Sequence, residues 1–97
     1  MNLIQSGLPT VSNITLIEAN TEYGVTLGNH TKKFLLQNRE TNDLKLAFNP
    51  GESGTNYFTL KGSAVWYEDQ VFGPITVYLQ SPNAGTVVEI VSYMAVD

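Results

Sequence analysis

Hydrophobic and polar residues change places along this chain in short steps. Leu44, Leu46 and Phe48 alternate with Lys45 and Ala47, the period of two expected of a half-buried strand. Other runs are rich in Thr, Val, Ile and aromatic residues: Asn13 to Glu18, Thr21 to Leu27, Lys33 to Asn38, Tyr57 to Leu60, Ala64 to Glu68, Ile75 to Gln80 and Thr86 to Met94. Turn chemistry separates them. Ala19-Asn20, Gly28 to Thr31, Arg39 to Asp43, Lys61 to Ser63, Gly73-Pro74 and Ser81 to Gly85 all read as breaks. No segment repeats apolar residues at spacings of three and four for three turns, and β-branched residues dominate the runs, so helices are excluded.

The pattern predicts an all-β chain: a single antiparallel β-sandwich, a jelly-roll-like Greek key of about eight strands, with a small barrel as the competing architecture. Tyr57 to Leu60 and Ala64 to Glu68, joined through Gly62, read as a hairpin-like pair. Residues 1–12 mix Gly, Pro and Ser without a sustained period, which suits an arm or a loose first strand ahead of a domain over residues 13–97. Asn49, Pro50, Gly51, Glu52, Ser53, Gly54, Thr55 and Asn56 form the longest loop of low hydrophobicity, and this loop is the expected exposed contact tip.

Ninety-seven residues hold one domain. Five basic residues against nine acidic ones leave a net charge of −4, and only Lys32 and Lys33 are adjacent, so the chain lacks the basic patch a nucleic-acid surface needs. No run is long and apolar enough to span a membrane, and Met1 to Pro9 does not read as a secretory signal. The absence of cysteine excludes disulfides and thiolate metal sites.

The catalytic inventory is equally thin. The one histidine, His30, sits in a turn with no orienting partner in sequence, and the acids collect at breaks where carboxylates are easily solvated. Glu68-Asp69 reads as a solvated strand end, and neither a calcium loop nor a zinc spacing is present, so no metal or cofactor is expected. The expectation is a protein without enzymatic activity.

Aromatic residues carry the remaining signal. In the adjacent pairs Tyr57-Phe58 and Trp66-Tyr67, strand geometry sends one ring inward and the other outward. Interfaces are enriched in Tyr and Trp, so Trp66, Tyr67, Tyr57 and Phe72 are the candidate interface anchors, with core packing as the competing role for each. A sugar-stacking platform beside the Asn49 to Asn56 loop is the less favoured use of the same rings.

The segments NTEYGVTL, TKKFLLQNR, NDLKLAF, SGTNYFTLKGS, WYED, ITVYLQSPNAG and VVEIVSY, spread from Asn20 to Tyr93, resemble small virion proteins of tailed bacteriophages. The resemblance implies an all-β sandwich built into the particle in many copies. Its motifs mark strands and turns, so it transfers no functional residue. The resemblance does not place the protein on the particle; joined to the composition, it leads to the expectation of a capsid decoration (cement) protein, forming a homotrimer, bound to the major capsid protein or another virion protein and assembled in the bacterial host cytoplasm. A neck, tail or fibre-base component and a host-glycan-binding module are the alternatives.

Overall fold

The structure is a computed structural model that describes residues 9–28, 30–71 and 74–94. Among the described residues eight strands follow in chain order: β1 (Thr10–Leu16), β2 (Tyr23–Thr26), β3 (Thr31–Asn38), β4 (Leu44–Ala47), β5 (Phe58–Leu60), β6 (Val65–Glu68), β7 (Thr76–Gln80) and β8 (Thr86–Met94). They form two antiparallel four-stranded sheets, ordered β1-β8-β3-β6 (sheet I) and β2-β7-β4-β5 (sheet II). The pairs β1–β8, β2–β7, β3–β6 and β4–β5 are those of one long hairpin rolled into two layers. That order is the jelly roll.

Alternation packs the layers. Leu16, Phe34, Leu36, Val88 and Ile90 point inward from sheet I, and Leu44, Leu46, Leu60, Val77 and Leu79 meet them from sheet II, each at most 3% exposed. The inward side of β8 also carries Thr86 and Ser92, both buried, where the sandwich closes at its ends. Among the described residues no helix is long and apolar enough to cross a membrane.

One expectation changes. β5 and β6 are not a hairpin: β5 pairs with β4 in sheet II and β6 pairs with β3 in sheet I. The connection at Lys61 to Ala64 is a corner. Ala64 N–H donates to the Lys61 carbonyl at 3.0 Å, Ser63 adopts a φ of 65°, and Gly62 lies so close to the Thr41 backbone that a Cβ would collide with it. Asn38, fully buried, holds the corner from β3 by donating Nδ2 to the carbonyls of Asn42, Leu60 and Lys61 at 2.7, 3.3 and 3.3 Å. A chain turned this way leaves one sheet and enters the other.

Thr10, Val11 and Ser12 pair with Ser92, Val91 and Ile90, so the end of the segment read as an arm or a loose first strand belongs to β1. Residues 1–8 lie outside the described ones.

Candidate functional site

Side chains on the outer face of sheet I can be read from the register. Val11 of β1 lies opposite Val91 of β8, Val91 opposite Leu35 of β3, and Leu35 opposite Tyr67 of β6. One apolar row therefore crosses all four strands. An antiparallel sheet facing water normally turns polar side chains outward, and this one turns out Val11 and Tyr67 at 64% and 52% exposure. Val65 widens the row on β6, while Val87 and Tyr93 extend it along β8.

Charges flank the row on both sides. On one side Lys33 faces Tyr93 in the register and its ammonium stands 5.0 Å from the centre of that ring. On the other, Gln37 faces Glu89, and Glu89 pairs with the Arg39 guanidinium at 3.6 Å. The face carries the Lys33 charge on one side of its apolar row and the Arg39–Glu89 ion pair on the other.

Sheet II presents the opposite character. Gly24, Thr26, Thr76, Tyr78, Lys45 and Thr59 occupy its outward positions, Thr26 and Thr76 sharing a hydroxyl hydrogen bond at 2.8 Å and the Tyr78 ring covering Gly24. The Asn49 to Asn56 segment folds back over this face. Gln80 Nε2 lies 3.4 Å from Ser53 Oγ, and Gly54 packs against the Gln80 amide.

The loop is fastened by Glu22 at the entrance to β2. Its carboxylate accepts Ser53 Oγ at 2.5 Å, Gly51 N–H at 2.8 Å and Ser53 N–H at 3.1 Å. These bonds, the Ser53 hydroxyl foremost and the Gly51 amide next, hold the Glu22 carboxyl below its ordinary value, against a smaller opposing effect of desolvation. Ser53 is consequently buried, contrary to its reading as part of an exposed tip. The rest of that loop is exposed or half-exposed, but it is ordered against the protein's own surface.

The proposed anchors separate. Trp66 points inward between the sheets at their open β5–β6 flank, edge-on to Phe58 with ring centres 4.6 Å apart and 6.3 Å from Phe48. Its indole N–H is buried and has no acceptor among the described residues. Tyr67 is an outward residue of the apolar row. Tyr57 is exposed beside β5, with the Lys45 ammonium 4.9 Å from its ring centre. Phe72 lies outside the described residues.

Phe48 also borders an open cleft of about 290 Å³ at this end of the sandwich, lined by Phe48, Glu68, Gln70, Val71, Pro74 and Ile75. Among the described residues no group of three or more His, Cys, Asp or Glu is placed to hold a metal ion. His30 is an exposed turn residue.

No family model matches the sequence. No curated protein matches it either. Among solved structures the chain is similar to a de novo designed double-stranded β-helix determined by solution NMR, with a TM-score of 0.53 over 90% of this chain and 99% of that one. Identity between the two is 12%, so the likeness concerns the fold alone.

Sequence reasoning passed over Leu35, Val91 and Val11, whose joint effect exists only once β1, β8 and β3 are side by side. It also treated Glu22 as one more solvated acid. Neither has a local signal, because each depends on partners far along the chain.

Proposed function

We propose that the chain is a non-catalytic structural protein of a bacteriophage virion, a decoration protein that binds and stabilises the head shell in many copies. The observation that carries this reading is the apolar surface running from the outer face of sheet I around β6 to Phe58 and Tyr57 on the β5 flank. A lone jelly roll gains nothing by exposing Val11, Val65, Tyr67 and Phe58, whereas a component of an assembly buries them at its contacts. The resemblance of LKLAF and VYLQSPNAG to small virion proteins supports a structural role in a particle and not a position on it.

The physical role is mechanical. A protein that binds the assembled shell and not its loose subunits stabilises the shell by mass action. Quantitative mass spectrometry of purified particles tests the reading: many copies per particle, with heads lacking the protein failing at lower temperature, is the expected result. Its absence from particles overturns the proposal, and a low copy number transfers it to the neck or tail.

A specific observation supports one second reading. The cleft beside Phe48 combines an exposed ring with the Glu68 and Gln70 side chains, the pairing of stacking face and hydrogen-bonding groups that sugars require. Glycan-array binding by the isolated domain, lost in Phe48→Ala without unfolding, would favour a host-glycan-binding module. A silent array removes that reading.

A further inference from the structure

We propose that the outer face of sheet I pairs with the same face of a second copy of this chain, about a twofold axis that crosses the strands along the row Val11–Val91–Leu35–Tyr67. The pairing goes beyond the virion reading and does not rest on it; it takes up the sheet I part of the apolar surface and leaves the Tyr57 and Phe58 flank for any further contact.

Three observations select a second copy as the occupant. The first is size. Four strands at a spacing of ~4.8 Å and a usable length of about 25 Å give a face of roughly 500 Å² in flat projection, before the relief of its side chains is added. A standard interface takes ~800 Å² of accessible surface from each partner, so this face is of the right order for a stable pair.

The second is charge. Lys33 lies two residues to one side of Leu35 on β3, and Gln37 lies two residues to the other, with Glu89 beside it on β8. A twofold axis along the apolar row exchanges those two sides. Lys33 of each copy then meets Gln37 and the Glu89 carboxylate of the Arg39–Glu89 pair of the other, while Val11, Val91, Leu35 and Tyr67 meet their own counterparts. The face complements itself in this orientation. With the axis turned parallel to the strands, Lys33 remains far from the opposing Glu89 and the match is lost.

The third is the contrast with sheet II. Its outer face is polar, and the Asn49 to Asn56 loop, which Glu22 ties down, packs on its Gln80 end. Both sheets belong to one acidic chain of net charge −4, and among the described residues it is sheet I whose open outer face has an apolar centre. Face-to-face packing at ~10 Å with strands nearly aligned is the ordinary way two such sheets meet.

Sedimentation equilibrium of the full chain provides the test. At about 100 µM the wild-type protein is expected to run at twice its 10.7 kDa mass. Val11→Lys and Tyr67→Lys, both at exposed positions, are expected to weaken the pair at least about tenfold while circular dichroism shows the fold retained. Lys33→Glu and Glu89→Lys are each expected to run as monomers alone, since each sets like charges across the axis. Mixed together they restore opposite charges at both contacts and are expected to form a heterodimer.

A wild-type monomer or trimer overturns the proposal. So does a dimer indifferent to Val11→Lys and Tyr67→Lys, which would place the contact on another surface. If the two charge variants dimerise alone as well as in mixture, the orientation is wrong and the proposal fails in that form.

Discussion

The Glu22 carboxylate accepts the Ser53 hydroxyl at 2.5 Å across a separation of 31 residues, joining the entrance of β2 to the loop between β4 and β5. Two backbone amides, of Gly51 and Ser53, aim at the same carboxylate. Gly51 contributes a φ of 81°, a left-handed conformation that side chains rarely adopt. Replacing Glu22 with Gln keeps the shape and removes the charge that strengthens these bonds. The expected outcome is faster amide exchange at Gly51 and Ser53 with the exchange of β3 and β8 unchanged, measured by hydrogen–deuterium exchange.

The same clamp responds to pH in a defined direction. Because folding lowers the Glu22 pKa below its ordinary value of 4.5, the contribution is fully present above that value and is lost as pH falls through the lowered pKa of the folded state. Loop protection at Gly51 and Ser53 should therefore hold at neutral pH and fade in acid. In Glu22→Gln the acid-dependent part should disappear, which NMR titration of the two amides can check.

Asn38 is a second polar group on which distant segments depend. Its Nδ2 serves three carbonyls, and its Oδ1 accepts the Glu40 amide at 3.1 Å. Asn38→Ala leaves those buried groups without partners, at an expected cost of about 2 to 3 kcal/mol in chemical denaturation. Asn38→Asp should be no milder, since a carboxylate cannot donate to the carbonyls.

Gly62 is required by space. A Cβ at this position meets the Thr41 carbonyl and its backbone neighbours, which cannot move aside as a side-chain tip would. Gly62→Ala is expected to destabilise by about 1 to 3 kcal/mol, lowering the denaturation midpoint. Gly85, with nothing near its Cβ but a φ of 79°, should instead tolerate Asn better than Ala.

The two faces of β3 and β6 should answer mutation differently. Leu36 lies opposite Trp66 and is fully buried, so Leu36→Ala is expected to cost about 2 to 5 kcal/mol. Tyr67, opposite Leu35 on the outer face, is expected to change the stability of the isolated protomer by less than about 0.5 kcal/mol as Tyr67→Ser. Thermal unfolding followed by the fluorescence of Trp66, the single tryptophan, measures both.

Strand positions were legible in the chain because a strand announces itself locally. Alternation at Leu44, Leu46 and Phe48 and β-branched runs such as Thr86 to Met94 mark segments whose side chains must divide between two environments, and turn residues separate them. Those features determined the all-β class and the sandwich of about eight strands. Which strand lies beside which was decided only by the tertiary structure. The Gly62 corner was mistaken for a hairpin because a glycine turn looks the same in sequence whether the chain returns beside itself or crosses to the other layer; Asn38 and Thr41, more than 20 residues away, make the difference. The apolar row of sheet I has the same origin. Val11, Leu35, Tyr67 and Val91 lie on four strands far apart in the chain, three of them next to inward-facing hydrophobic residues, and they become one surface only where long-range backbone pairing sets them in register.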